Sequence, residues 1–259
     1  MFKNKKSNIE KFEDFMTKHK YRRNHNKEIT HVSHKSLHGD DIFINKTFSI
    51  PDESYDEFLK LYQKVLDDNH NVHIHEHPKN VCILVIDVDF RFGISHSERQ
   101  YLNKHIEVIV KKFNEKFIKF LKVDIDLVKA FIFEKSFPTY NENKKEYKDT
   151  FHIIYPFLPM NIEKRNFFFD LVKKEIIKEN SFSDIPYICQ HIDVLDKHVI
   201  KYGCFMYGSH KINREPYLLT KIYDKDVKIC DVDEHNKYDM VTCLSYRKHT
   251  DEDDIDFIY

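Results

Sequence analysis

Glycine is scarce in this chain, and other marks of common protein classes are missing as well. Only 4 of the 259 residues are glycine. Phosphate-binding loops of the P-loop and dinucleotide-binding kinds need several closely spaced glycines, so the sequence excludes both classes. The 5 cysteines are scattered, and no two form a CxxC pair. This pattern argues against a zinc ribbon or a disulfide framework and predicts a protein of a reducing compartment.

Long apolar runs and an excess of one charge are also absent. No stretch reaches the roughly 20 apolar residues of a membrane-spanning helix, and the basic N-terminus lacks the apolar segment of a signal peptide. We therefore expect an intracellular protein without membrane contact. Lys and Arg number 42 against 43 Asp and Glu, so a nucleic-acid-binding surface would have to be a local basic patch. Hydrophobic residues make up 41% of the chain, which predicts a globular fold.

Hydrophobic spacing predicts an alternation of strands and helices. Strands are expected at the apolar runs 81–90, 130–137, 149–157, 199–211 and 215–223. Helices are expected over 51–68, after a capping box formed by Ser95 and Glu98, and after Asn161. This order predicts an α+β fold with a mostly antiparallel sheet.

The most apolar of these strands ends in two carboxylates. Residues 81–92 read VCILVIDVDFRF, and Asp87 and Asp89 lie two positions apart, on the same face of a strand. At a Cα separation of roughly 7 Å, two like charges repel by about 2 kcal/mol at an effective dielectric constant near 20. A strand end that faces solvent is the simplest interpretation. A Mg²⁺ or Mn²⁺ ion would remove the repulsion, because carboxylate oxygens are its preferred ligands.

A second polar group lies on the expected strand 149–157. Lys148, Thr150 and His152 share one face of this strand. A lone strand histidine is more often a hydrogen-bonded core or edge residue than a catalytic one. A histidine beside a lysine can nevertheless donate hydrogen bonds to phosphate oxygens, so a phosphate contact is the functional alternative.

A third group lies in HIDVLDKHVIKYGCFMYGSHK, which contains Asp196 and ends in a Gly-Ser-His-Lys turn. The Ser209 hydroxyl and the Lys211 ammonium of this turn suit a contact with a phosphate or a nucleic-acid backbone. An ordinary polar turn is the simpler interpretation of so short a motif.

The stretches VIDVD, TFHIIYP, LDKHV and YGSHK, taken in this order and spacing, resemble the motifs of the archaeo-eukaryotic primase superfamily. The resemblance is to the primase domain of large DNA viruses, which is often joined to a superfamily 3 helicase, and it spans about residues 72–223. It implies an RNA-recognition-motif-like, mostly antiparallel sheet packed with a second α/β module around one cleft. It also implies a catalytic core at 71–230, preceded by a helical, basic segment at 1–70 packed on it and followed by an acidic C-terminal tail at 231–259.

The function implied by the resemblance is that of a DNA primase or primase-polymerase. Such an enzyme makes primers on single-stranded DNA from nucleoside triphosphates by nucleotidyl transfer, with two Mg²⁺ or Mn²⁺ ions as cofactors. The implied catalytic and metal-binding residues are Asp87, Asp89 and Asp196, and the implied nucleotide-binding residues are His152, Lys148, Ser209 and Lys211. Implied partners are the DNA template, the triphosphates and a superfamily 3 helicase, fused or separate, at the host-cell site of viral DNA replication.

Several alternatives stay open. Asp193 also follows an isoleucine and is the alternative third metal ligand. A non-catalytic module that binds single-stranded nucleic acid, or a metal-dependent nuclease, would share part of the pattern. Two further groups have a functional and a simpler interpretation: the histidines His73, His75 and His77, which either bind a transition metal or are incidental, and the helix lysines Lys111, Lys112, Lys116 and Lys119, which either bind template or form a solvated face.

Overall fold

The computed structural model describes residues 6–22, 27–33, 46–186, 194–212, 214–230 and 237–258. The chain forms two compact units. Unit 1 comprises Met1–Pro78, Gly203–Pro216 and Asp239–Lys248, and unit 2 comprises Lys79–Tyr202, Tyr217–Tyr238 and His249–Tyr259. Because the chain passes repeatedly from one unit to the other, the units cut across the segments 1–70, 71–230 and 231–259 expected from the sequence. Within the described ranges, no helix is long and apolar enough to cross a membrane.

The described helices and strands are, in chain order, α1 (Asn8–Lys18), β1 (His31–Ser33), β2 (Lys46–Phe48), α2 (Tyr55–Asp67), β3 (Ile74–Glu76), β4 (Cys82–Gly93), α3 (Asn103–Phe120), β5 (Ala130–Glu134), β6 (Thr139–Asn141), β7 (Glu146–Met160), α4 (Ile162–Lys178), β8 (Leu195–Asp196), α5 (His198–Tyr202), β9 (Cys204–Phe205), β10 (Leu218–Tyr223) and α6 (Met240–Cys243). All of the strand pairs are antiparallel. The expected α+β class with antiparallel sheets is confirmed.

Unit 1 contains a four-stranded sheet in the order β2-β1-β3-β9. Its core joins apolar side chains of α1 and α2 to those of the sheet, with Phe12, Phe58 and Tyr62 in mutual ring contact. A buried carboxylate on β3, that of Glu76, ties the returning segment 239–248 to this sheet. It accepts hydrogen bonds from the Ser245 hydroxyl and from the backbone N–H of Tyr246.

Unit 2 contains the larger sheet, in the order β10-β5-β7-β4-β8, with β6 paired to β7. Side chains of β4 alternate strictly between its two faces. Leu84, Ile86, Val88, Phe90 and Phe92 belong to the core that also includes apolar residues of α3 and α4. Asp87, Asp89 and Arg91 therefore point to the opposite face of the sheet. Apolar packing on one face thus fixes the position of the acidic residues on the other.

Two expected elements differ in the structure. The helix expected after Ser95 begins only at Asn103, because Arg99 and Tyr101 in the intervening segment bind the carboxylate of Glu134. The expected strand 199–211 is wrong over most of its length: it contains the short helix α5 and then only two strand residues. The chain turns at Gly203, whose φ of +77° is disfavoured for residues with a Cβ atom.

Candidate active site

Three carboxylates converge at the edge of the unit 2 sheet. Asp87 on β4 lies opposite Asp196 on β8, and Asp89 follows two residues later on the same face. One oxygen from each of the three side chains lies within 4.8 Å of the others. Among the described residues, no other group of three or more potential metal ligands lies so close together. The spacing along β4 predicted Asp87 and Asp89 as a pair, the motif resemblance implied Asp196 as their third member, and the pairing of β8 with β4 brings it next to them.

The three carboxylates differ in their surroundings. Asp89 is buried, and burial together with the neighbouring charge of Asp87 raises its pKa, although Lys148 acts in the opposite direction. Burial also raises the pKa of Asp87, but the electrostatic attraction of His152, Lys148 and Lys135 outweighs it and leaves the pKa lowered. The two acids therefore shift in opposite directions, because Asp87 lies closest to His152 whereas Asp89 is disfavoured by burial and by the charge of Asp87.

Cationic groups from β7 face this acidic pair. The Lys148 Nζ atom lies 2.8 Å from Oδ2 of Asp89, and the His152 Nε2 atom lies 3.3 Å from Oδ1 of Asp87. The register of the sheet accounts for both contacts, because Asp87 pairs with His152 and Asp89 with Thr150 across β4 and β7. The predicted face of β7 is therefore the face that meets the carboxylates.

Two residues that the sequence interpretation did not assign complete this side of the site. The Tyr217 ring stacks on His152, with 4.0 Å between ring centroids, and its hydroxyl hydrogen-bonds with the Thr150 hydroxyl. The Lys135 Nζ atom lies 5.0 Å from the centroid of the Tyr217 ring. Lys135 directly follows the mostly apolar strand β5. A charged residue at the end of an apolar strand was the signal that identified the aspartates of β4, and the same signal would have identified Lys135 as a candidate. The position of Tyr217 depends on the pairing of β10 with β5, which the sequence does not reveal.

The donor set fits a hard divalent cation. All three side chains offer carboxylate oxygens, the ligands that Mg²⁺ and Mn²⁺ prefer. The buried Oδ1 atom of Asp87 accepts no hydrogen bond of good geometry from the described residues. A buried carboxylate oxygen in that condition is costly unless a cation compensates it. In Asp196, Oδ1 accepts a hydrogen bond from the backbone N–H of His198 and lies 2.9 Å from the Nδ1 atom of the same residue.

The remaining predicted residues are not part of the described unit 2. Ser209 and Lys211 belong to unit 1. The Ser209 hydroxyl is buried, lies 2.8 Å from the Tyr62 hydroxyl and accepts a hydrogen bond from the backbone N–H of Ile74. Lys211 is exposed. Asp193, the alternative third ligand, lies outside the described residues.

The histidine cluster and the basic helix show structural contacts. The His75 ring packs edge-on against His77 and Phe205 within unit 1, and the described residues do not include a metal-ligand group that contains His73, His75 or His77. On α3, Lys116 pairs with Glu175 of α4, and Lys112 pairs with Glu179, the residue that caps the C-terminus of α4. These two lysines therefore hold two helices of unit 2 together.

Comparison with known proteins agrees with this fold. A family model described as the N-terminal AEP domain of the C962R protein, an archaeo-eukaryotic primase-type domain, matches residues 33–223. The match covers most of the chain and includes all three carboxylates, so the chain belongs to this family. A putative helicase, L207/L206, of Acanthamoeba polyphaga mimivirus is 29% identical over 227 residues, which cover 85% of this chain and 22% of that protein. The chain thus spans about a fifth of the length of the viral relative it matches (22%).

Proposed function

We propose that this chain is a DNA primase or primase-polymerase domain that synthesises primers on single-stranded DNA from nucleoside triphosphates. The observation that carries the proposal is the convergence of Asp87, Asp89 and Asp196 on one sheet face, next to cationic side chains. The family of primase-type domains supports the same reaction class. In this reaction a 3′-hydroxyl oxygen forms a bond to the α-phosphorus, the bond between that phosphorus and the bridging oxygen breaks, and pyrophosphate leaves.

Asp87, Asp89 and Asp196 would hold divalent cations, two in the mechanism proposed. Bound there, Mg²⁺ or Mn²⁺ would make the 3′-hydroxyl oxygen a better nucleophile and would neutralise charge on the triphosphate. The chain contributes a rigid platform, because β4 is anchored by its apolar face and cannot spread its carboxylates apart. That rigidity fixes the spacing of the ligands, as pre-organised electrostatic catalysis requires.

His152 and Lys148 would bind the triphosphate oxygens. Both point to the carboxylates, so phosphate groups placed there would meet an imidazole and an ammonium donor. The Tyr217 ring, stacked on His152, would hold the imidazole in its orientation. Ser209 and Lys211 are proposed as further contacts to a phosphate of the nucleotide or template. Because Ser209 is buried, a change in that turn is needed for its hydroxyl to reach a ligand.

A superfamily 3 helicase, fused or separate, is proposed as the partner of this domain. The viral relative is named a putative helicase and is much longer than this chain. A primase placed next to a helicase would receive the single strand that unwinding produces.

Template-directed synthesis tests the proposal. The chain is incubated with single-stranded DNA, nucleoside triphosphates and Mg²⁺ or Mn²⁺, and primer-length products are separated by electrophoresis. We expect products from the wild type and a loss of at least 10²-fold from the double variant Asp87→Ala/Asp89→Ala. No product from the wild type, or equal synthesis by the double variant, would overturn the proposal.

The third ligand is tested by a matched pair. Asp196→Asn is expected to reduce synthesis strongly, whereas Asp193→Asn should leave it within about twofold of the wild type, because all three proposed ligands are kept in that variant. The reverse result would make Asp193 the ligand. Degradation of labelled DNA by the wild type, abolished in Asp87→Ala, would favour a metal-dependent nuclease.

A further inference from the structure

A cavity of about 760 Å³ opens beside the acidic site in unit 2. Asp89 and Asp196 form part of its wall. Its size falls in the range of about 300–1,000 Å³ typical of pockets that hold a small organic ligand. It does not include His152 or Lys148, the side chains proposed to bind the triphosphate, or the neighbouring Lys135. The carboxylates therefore lie between the side chains proposed to bind the triphosphate, on one side, and this separate cavity, on the other.

The wall of the cavity is basic. Five cationic side chains contribute to it: Arg91, Lys144, Lys173, Lys197 and Lys201. Two of them are paired, Arg91 with Glu146 and Lys197 with Asp170, and Lys173 donates to the carbonyl oxygen of Leu195. Within the described ranges, the ammonium groups of Lys144 and Lys201 have no carboxylate partner. These two lysines give the cavity two ammonium groups that belong to no ion pair of the described residues.

An aromatic side chain accompanies the lysines. The Tyr202 ring lines the cavity and is 50% exposed, and the Lys201 Nζ atom lies 5.2 Å from its centroid. Exposed aromatic rings next to cations are typical of surfaces that bind single-stranded nucleic acid, because bases stack on the ring and phosphates meet the cations.

The direction of the reaction decides which substrate this cavity suits. In phosphoryl transfer the attacking and leaving oxygens lie roughly in line on opposite sides of the phosphorus. His152 lies on β7, on one side of β4, whereas Asp196 and the cavity lie on the β8 side. A triphosphate whose leaving end meets His152 and Lys148 would thus receive its attacking hydroxyl from the β8 side.

We infer that this cavity binds the phosphates of the nucleotide that carries the attacking 3′-hydroxyl, with Lys144 and Lys201 as their partners and Tyr202 as a stacking surface. The inference rests on the proposed function. Two sources share this chemistry: the phosphodiesters at the end of a primer strand, and the 5′-triphosphate of the first nucleotide in synthesis that starts without a primer.

A binding measurement that needs no catalysis tests the inference. The probe is a fluorescently labelled primer–template whose recessed primer lacks the 3′-hydroxyl, and its affinity is followed by fluorescence anisotropy in Mg²⁺ at several salt concentrations. Lys144→Glu/Lys201→Glu is compared with Lys174→Glu/Lys178→Glu. The control changes the net charge equally at two exposed lysines of α4 outside the cavity. Thermal melts verify that both variants fold, and Lys144→Gln/Lys201→Gln provides a milder version of the change.

We expect the cavity variant to bind at least tenfold more weakly than the wild type, and the control to change affinity by less than about twofold. Loss of two phosphate contacts should also make the slope of log K against log salt shallower by about 1.5. Equal binding by the cavity and control variants, together with unchanged primer extension and unchanged formation of the first dinucleotide, would overturn the inference.

Two assays of synthesis identify the source of the phosphates. If extension of a primer falls and formation of the first dinucleotide does not, the cavity binds the primer strand. The opposite result assigns it to the initiating triphosphate, and a loss in both supports a shared site. If wild type makes no product but the binding difference persists, the proposed function fails and the cavity stands as a nucleic-acid site. If wild type is active and neither binding nor synthesis changes in the cavity variant, only the cavity assignment fails.

Discussion

Asp87 on β4 lies between two partners in the sheet, Asp196 on β8 on one side and His152 on β7 on the other. A carboxylate pair and an imidazole therefore form one row across three strands. Asp89 lies two residues further along β4, on the same face, and forms an ion pair with Lys148. The arrangement places potential metal ligands in the centre and potential phosphate ligands at one side, which is the order that nucleotidyl transfer requires.

Asp89→Asn should stabilise the protein when no divalent ion is present. Burial and the charge of Asp87 raise the pKa of Asp89, so the ionised form is disfavoured in the folded state at neutral pH. Removing the charge should raise the melting temperature in EDTA by about 2–4 °C. Mn²⁺ should stabilise the wild type by about 2.7 kcal/mol of unfolding free energy at an ion concentration 100-fold above Kd, and so raise its melting temperature. The same substitution should abolish this Mn²⁺-dependent rise.

Thermal melts with EDTA and with Mn²⁺ measure both effects. Asp184→Asn serves as the control, because Asp184 is an exposed acid that lies outside the acidic site. The control should keep the Mn²⁺-dependent rise. An unchanged Mn²⁺ response in Asp89→Asn would contradict the role of this carboxylate as a ligand.

Arg99→Met should destabilise unit 2 by about 3 kcal/mol. The Arg99 guanidinium donates to both oxygens of the buried Asp149 carboxylate, to Glu134 and to the carbonyl oxygen of Lys135. Its loss leaves two acids without their shared cation. Burial already raises the pKa of Asp149, and removing Arg99 would increase the cost of its charge.

Urea denaturation measures this change, and a double-mutant cycle identifies its origin. Asp149→Asn in the Arg99→Met background should recover part of the stability, because it removes the unpaired charge. No recovery would show that the loss arises from packing of the Arg99 side chain. Lys6→Met, which breaks an exposed pair with Asp14, is the control and should change little.

His31 should make the protein less stable in acid. Burial lowers the pKa of His31 well below its usual value, and Arg247, His77 and His75 lower it further. The unfolded chain takes up this proton as the pH falls through about 6.5, and the folded chain does not. The free energy of unfolding should therefore decrease below pH 6.5, by up to about 1.4 kcal/mol per pH unit for this residue.

Urea denaturation between pH 7.5 and 5.5 measures that slope. His31→Phe should make the slope shallower without abolishing it, because burial also lowers the pKa of His77 and of His19. The comparison uses the pH slope, so a constant loss of stability in the variant does not affect it. Identical slopes in variant and wild type would contradict the assignment.

Gly203→Ala should destabilise unit 1 more than Gly208→Ala. Both glycines have a φ of +77°, which costs a residue with a Cβ atom roughly 1–2 kcal/mol. A Cβ atom at Gly203 would also lie 2.0 Å from the backbone oxygen of Glu76, whereas at Gly208 the nearest atom, at 2.8 Å, belongs to the flexible side chain of Leu66. Equal melting temperatures for the two variants would show that the contact with Glu76 is relieved without cost.

The sequence predicts those parts of the site that a single strand determines. The alternation of side chains along β4 was sufficient to place Asp87 and Asp89 on one face of that strand. The alternation along β7 was sufficient to place His152 on the same face of its strand as Lys148 and Thr150. The approach of Asp196 depends on pairing between strands more than a hundred residues apart, and only the motif resemblance suggested it. The strand expected at 199–211 was wrong because its apolar and aromatic residues are typical of strands, whereas the turn at Gly203 is set by contact with β3.

A crystal structure with Mn²⁺ and a non-hydrolysable nucleoside triphosphate tests the central claim most directly. Anomalous scattering at the manganese edge locates the ions without reference to activity. We predict manganese between the carboxylates of Asp87, Asp89 and Asp196, with the triphosphate on the side of His152 and Lys148. Saturating Mn²⁺ without a peak at these carboxylates, or a triphosphate bound away from them, would contradict the account.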